Sequence, residues 1–218
     1  EVLAAWQVAR EEGSGVIVER FVHGNEHRLL VVGGKVAAAT RGEPAHVVGD
    51  GRSTVSGLSD LQLNSHPLRG STEDCPLNFV RIDSSARIEL ARQGFDADSI
   101  PPAGTRLLIQ RNGNVSIDVT DELHPEVAAM AALAADVVGL DIAGIDLVAE
   151  DISRPLGEQR GAIVEVNAGP GLLMHLRPAV GQPRPVGEAI VDHLFPEGAD
   201  GRIPIVGVAG TRSGAHIA

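Results

Sequence analysis

The spacing of apolar and polar positions changes several times along the chain, and each change predicts an element. Residues 2–10 are alanine-rich with helical spacing, and Gly13-Ser14-Gly15 stops that pattern before the apolar run Val16-Ile17-Val18. Helix, turn and strand are expected there. Apolar runs at 29–32 and 36–40 flank Gly33-Gly34. A two-residue glycine loop supplies the positive φ that tight turns need, which predicts a β-hairpin. From 41 to 78 the chain is rich in Gly, Ser, Asp and Pro and weakly periodic, so a functional or mobile irregular segment is expected.

His124-Pro125 opens the clearest helix. Proline takes the first helical position, apolar residues recur at Val127, Met130, Ala134 and Val137 or Val138, and Gly139 is the stop. Strands near 144–149 and 161–166 follow, joined by a polar loop containing Pro155 and Gly157, and a further helix is expected over 186–194. Phe195-Pro196-Glu197-Gly198 breaks the pattern and marks a boundary, and 203–208 starts another strand. No internal repeat is visible.

Composition narrows the classes. With 218 residues and 43% apolar content, the chain can bury a core. The single cysteine, Cys75, excludes an internal disulfide framework. No stretch has the length or flanks of a signal peptide or membrane span, so a soluble cytoplasmic protein without a membrane partner is expected. A net charge of −11 argues against a nucleic-acid surface, which needs clustered cations. Among 18 basic residues only Lys35 is lysine, so a phosphate site that demands lysine must use it or take one from elsewhere.

The last predicted hairpin carries the candidate chemistry. Symmetric pairing about a loop centre between Pro155 and Leu156 sets Asp146 opposite Glu165, and the period of two in a strand puts Asn167 on the same face. Facing carboxylates repel, and their apolar neighbours Ile145, Leu147, Val164 and Val166 offer no relief. A bound divalent cation would supply it, and an all-oxygen, sparse donor set suits Mg²⁺. Ordinary solvated residues on a half-exposed sheet are the alternative. Asn167-Ala168-Gly169-Pro170-Gly171 then forms a sharp turn where backbone can approach a ligand.

Gly144-Ile145-Asp146 with Glu165 through Gly171 resembles the metal signature of ATP-grasp ligases. In that family such an acidic residue and a Glu-x-Asn hold the Mg²⁺ ions that bridge the ATP phosphates. The resemblance implies that Asp146, Glu165 and Asn167 are metal ligands. The segment 16–28 resembles the hinge of the same fold, with Val18 and Glu19 on the adenine side and Glu26 at the ribose; taken alone it reads equally well as an amphipathic strand. Further strings narrow the resemblance to the cyanophycin synthetase family: Gly34-Lys35-Val36, residues 43–51, 64–70, 118–125 and 139–146, Met174-His175-Leu176 and 201–206.

That resemblance implies an α+β (α/β) fold, the C-terminal portion of ATP-grasp, with an antiparallel or mixed sheet flanked by helices. It implies residues 1–198 as the ATP-grasp part, with an irregular substrate segment at 41–78 and a metal hairpin at 144–167. Residues 199–218 would be a linker and first strand of a Mur ligase-like domain. ATP and Mg²⁺ are the implied cofactors. Aspartate, arginine and a cyanophycin primer are the implied substrates of a homo-oligomeric full-length enzyme forming an acyl-phosphate. This stretch alone is expected to bind ATP poorly and to catalyse nothing, since the family's phosphate lysine and glycine-rich loop precede the hinge.

Three places depart from the family text. Residues 111–116 are shorter than the family's Thr-Gly-Gly-type loop, and Ser71-Thr72-Glu73-Asp74 replaces a Gly-His-Glu motif. The 207–214 stretch lacks the lysine of a Mur-type phosphate loop, so a second nucleotide site is expected to be weak or absent. Arg69, Arg177 and Arg184 are further candidates to hold a carboxylate or phosphate bidentately, or else ordinary surface arginines. His175 is expected to be half-buried and structural, and Cys75 a small hydrophobe. Another ATP-grasp amino-acid or dipeptide ligase, or an impaired relative acting as a binding module, remains as an alternative.

Overall fold

The computed structural model describes residues 2–72, 75–199, 201–203 and 205. The expected strand at 203–208, the 207–214 loop and residues 73–74 of the 71–74 stretch fall wholly or mostly outside them. Along the chain run α1 (Val2–Glu12), β1 (Asn25–Val32), β2 (Lys35–Val48) and α2 (Val55–Ser59), which leads into a π-helical turn (Asp60–Asn64). Then come β3 (Arg69–Gly70), β4 (Leu77–Asn78), α3 (Ser84–Arg92), β5 (Arg106–Asp118), a 3-10 turn (Thr120–Glu122) and α4 (Pro125–Val138). The order closes with β6 (Ile142–Ala149), α5 (Leu156–Gln159), β7 (Ala162–Asn167), α6 (Leu173–Leu176) and α7 (Val186–Leu194).

Among the described residues one sheet runs β5-β2-β1-β6-β7, each neighbour antiparallel, and β3 and β4 form a separate parallel pair. The class is α+β, as the sequence predicts. The β1–β2 hairpin turns on Gly33 and Gly34 at φ 55° and 74°, the two positive values a primed turn requires. Helix α4 is capped as expected: His124 accepts from the Glu126 backbone N–H at 3.2 Å, Pro125 leads, and Gly139 ends the helix at φ 81°.

Three expectations are corrected. Residues 16–18 form no strand; they lie in an unpaired segment between α1 and β1, with Ile17 and Val18 each 84% exposed. Both sides of β1 are already taken by β2 and β6, so the run just before it cannot pair with the strand that follows. Residues 41–48 are not irregular but continue β2, which pairs with β1 as far as Arg41 and with β5 out to Val48. Pro44, which cannot donate to a ladder, falls where the register shifts between Glu43 and Ala45. Helix α4 buries Val127, Ala131 and Ala135, while Met130 and Val137 stand 44% and 77% exposed. Small residues on the inner face let the helix lie close on the sheet, and the larger ones turn outward.

The main core lies between α4 and one face of the sheet, where Leu29, Val31, Ile145 and Leu147 meet Val127, Ala131 and Ala135. A second cluster joins the outer halves of β2 and β5 to α2 and α3 through Val47, Leu58, Leu90 and Ile109. A third, with Leu30, Val32 and Ala38, lies under Val186 of α7 on the opposite face. The rest of that opposite face is left open. No helix among the described residues is long and apolar enough to cross a membrane.

Candidate functional site

The open face carries a charged row that crosses the whole sheet. Register places Asp118 on β5 opposite Thr40 on β2, Thr40 opposite Arg28 on β1, Arg28 opposite Asp146 on β6, and Asp146 opposite Glu165 on β7. Successive strand residues point to opposite faces, so these side chains share the face away from α4. The pairing of Asp146 with Glu165, and of Gly144 with Asn167, is the register that loop symmetry predicts. On the loop side of Asp146 the register slips and Leu147 faces Ile163, which leaves Val164 as a bulge and turns Ile163 back towards the core.

The charges along this row are only partly paired. Arg28 grips Asp146 side-on: Nε donates to Oδ1, and a terminal nitrogen donates to Oδ2 at 2.8 Å. Asn167 donates to the same Oδ2 at 3.1 Å. Glu165, exposed at the sheet edge, has no side-chain partner among the described residues. At the far end Asp118 is nearly buried and accepts from Arg184 at 2.6 Å and from the Thr120 hydroxyl at 2.6 Å. Burial pushes its carboxyl up, but the Arg184 and Thr120 hydrogen bonds outweigh burial and hold it down at about 2. Arg184 also binds Asp121 at 2.8 Å, so it clamps the segment before α7 to the end of β5 and is not free to meet a ligand.

A cleft of about 410 Å³ lies over the row, lined by Glu26, Arg28, Asp146 and Glu165 on one side and by Arg41, Asn78 and Ser116 on the other. Among the described residues, buried polar atoms without partners include the Arg41 Nε, the Ser116 hydroxyl, the Arg69 Nε and both ring nitrogens of His175. Arg41 and Ser116 line the cleft, whereas Arg69 and His175 do not; an unpartnered buried polar group costs about 1–3 kcal/mol. Arg69 is buried, which lowers its pKa, and it donates to the Asn78 carbonyl. His175 is 1% exposed rather than half-buried. Burial and then the nearby Arg28 charge depress its pKa to about 4, so its ring is neutral.

The other expected residues scatter. Glu26 lines this cleft and also a second one of about 430 Å³ beside Phe21, α3 and Arg111. Val18 and Glu19 lie in the exposed segment before β1 and line neither. Arg177 is exposed and lines neither. No motif in the sequence singles out Arg28, although it stands two residues beyond Glu26 and strand alternation puts it on the same face.

The donor set can be tested for a hard divalent ion. Asp146, Glu165 and Asn167 share one face, Asp146 and Glu165 are direct cross-strand partners, and Asn167 turns its amide N–H to Asp146. No three His, Cys, Asp or Glu side chains form a ready cage among the described residues. Two carboxylates and an amide leave most positions to water and phosphate, which is the habit of Mg²⁺ sites. The residues fit such an ion once Arg28 gives up its hold on Asp146.

Fold and sequence together define a class. A bifunctional glutathione synthetase from Pasteurella multocida superposes with a TM-score of 0.59 and 31% identity over 81% of this chain and 24% of that one, and the architecture is that of ATP-grasp ligases. Within that class the chain is homologous to the cyanophycin synthetases. That of Nostoc sp. is 46% identical over 216 residues, 97% of this chain. The glutathione biosynthesis bifunctional protein of Clostridium perfringens is 35% identical over 196 residues, 88% of this chain. The chain spans about a quarter of the length of these curated relatives. No family model matches it.

Proposed function

We propose that the chain is the carboxylate-bearing part of an ATP-dependent peptide ligase that extends a cyanophycin-like polymer by aspartate or by aspartyl-arginine units. The observation that carries this reading is the shared sheet face of Asp146, Glu165 and Asn167, with Asp146 and Glu165 lining the cleft, in a chain 46% identical to a cyanophycin synthetase. The identity is lower, 35%, to the glutathione-type relative, which makes a small-peptide ligase the second outcome of the test.

In this reading Asp146, Glu165 and Asn167 hold Mg²⁺, which when bound neutralises phosphate charge during acyl-phosphate formation. Glu26, where the two clefts meet, takes the ribose hydroxyls, and Val18 and Glu19 supply the adenine side from a segment whose exposed Ile17 and Phe21 suit coverage by a ligand or partner surface. Arg69, whose buried Nε has no partner among the described residues, and the exposed Arg177 are the candidates to orient a substrate carboxylate. Residues 1–198 act as one ATP-grasp unit, and 199–218 lead into a Mur ligase-like part.

The test is ADP release by the full-length protein with Mg²⁺-ATP and a short cyanophycin primer, adding aspartate, arginine and the aspartyl-arginine dipeptide separately. Turnover with aspartate or the dipeptide, silenced by Asp146→Ala, is the expected result. No ADP release from folded protein with any addition overturns the polymer reading. Release with other amino acids or dipeptides but without primer moves the assignment to the glutathione-type reading.

A further inference from the structure

Arg28 occupies the middle of the charged row, and its position raises a conflict the row must resolve. Its guanidinium meets Asp146 through two nitrogens and both carboxylate oxygens, the fork geometry in which arginine binds a carboxylate most strongly. A divalent ion at Asp146 needs the same lone pairs. The two cannot hold that carboxylate fully at once.

The surroundings are arranged for Arg28 to lie there and to leave. Gly144 stands one row up the same face, and a Cβ on it would sit 2.8 Å from Pro170 Cβ and 3.5 Å from both Cδ and a terminal nitrogen of Arg28. The tight approach is to Pro170, and 3.5 Å to Arg28 is ordinary van der Waals contact, so the arginine side chain lies packed along Gly144. The Arg28 and Asp146 side chains retain 26% and 22% exposure, and both line the cleft, so the guanidinium has open volume to turn into. Without a counter-charge, Asp146 would stand directly opposite unpaired Glu165, and like charges so placed destabilise a sheet.

We propose that Arg28 is a built-in counter-cation for Asp146: it neutralises the carboxylate when no divalent ion is present and is displaced by the ion, so that metal binding and release of a guanidinium into the cleft are one event. This rests on the reading of Asp146 as a metal ligand. Its consequence is that the empty site is held in register without repulsion, at the expense of intrinsic metal affinity, and that an anion-binding group is turned into the cleft only when the metal arrives.

The experiment is titration of the full-length protein with Mn²⁺ alone, without nucleotide, followed by calorimetry and by the electron paramagnetic resonance of free Mn²⁺. Arg28→Met should bind about fivefold more tightly than wild type, the upper end of what a partly exposed ion pair contributes. Arg41→Met removes a charge from the same cleft that does not hold Asp146, and should change the affinity by less than about twofold. Asp146→Asn should abolish binding. In ¹⁵N-arginine-labelled wild type, the Arg28 Nε–H resonance, assigned by its loss in Arg28→Lys, should shift on adding Mg²⁺ and should not respond in Asp146→Asn; this readout needs no Arg28→Met protein to fold. Equal Mn²⁺ affinity in wild type and Arg28→Met, or an Arg28 resonance indifferent to Mg²⁺ while Asp146→Asn still abolishes binding, overturns the displacement and leaves the metal reading standing. Binding that survives Asp146→Asn overturns the metal reading itself, and the displacement with it.

Discussion

The two faces of the sheet are made of alternate residues of the same strands, yet they are built to different ends. On β6, Ala143, Ile145, Leu147 and Ala149 are buried against the α4 side, and Gly144 and Asp146 between them face Arg28 and the cleft. On β1, Leu29 and Val31 belong to the core, while Glu26 and Arg28 line the cleft. The α4 face is closed over the main apolar core. The cleft face leaves Glu165 unpaired and the Ser116 hydroxyl unsatisfied among the described residues. The comparison teaches that stability and the candidate site were separated by the two-residue period of the strand, one residue apart in sequence. Substitutions on one face are expected to leave the property of the other nearly unchanged.

That separation can be broken from either side. The largest effect is expected at Asp146→Asn: turnover with Mg²⁺-ATP should fall at least about a thousandfold, roughly 4 kcal/mol of barrier, with a melting temperature within a few degrees of wild type. Parallel losses of folding and turnover would mean that the cleft face is structural after all. Next comes Leu29→Ala, beside Arg28 but fully buried on the α4 face, which should cost about 2–5 kcal/mol in urea unfolding. Turnover per folded molecule should persist, and a selective loss of it would show that the faces are coupled.

The smallest effect is a pH dependence. Burial lowers His27 and His175 from 6.5 to about 4, so each stays neutral in the folded chain while the unfolded chain takes up a proton first. Their contribution is therefore complete above the unfolded value of 6.5 and is lost as pH falls towards the folded value of about 4, at up to roughly 3 kcal/mol each. His175→Phe should remove about half of this dependence in urea midpoints measured through that window. An unchanged slope would place His175 in contact with water and sharpen the question of what its ring faces.

Much of the architecture was legible because its signals are local. Gly33-Gly34 demanded a primed turn, His124-Pro125 and Gly139 bounded α4, and the polar loop centre put Asp146 across from Glu165. The misreadings share one cause, dependence on what lies across space. Val16-Ile17-Val18 has the composition of a strand, but β1 has no free side to offer it. Residues 41–48 look irregular because Gly42 and Pro44 interrupt them, yet β5 supplies a partner and a register shift absorbs the proline. Met130 and Val137 belong to the apolar pattern of α4, yet the sheet selected its alanines.

The sequence by itself determined the elements, the hairpin register and the residue types of a hard-cation site, because turns, caps and strand alternation act over a few neighbouring residues. Only the tertiary structure decided that Arg28 comes to hold Asp146 from 118 positions away, that Arg184 is spent clamping Asp118, and that His175 is sealed in. Those outcomes depend on which strands become neighbours, and strand order goes with burial of the sheet in three separate clusters against α4, α2 with α3, and α7 rather than with any short stretch of chain.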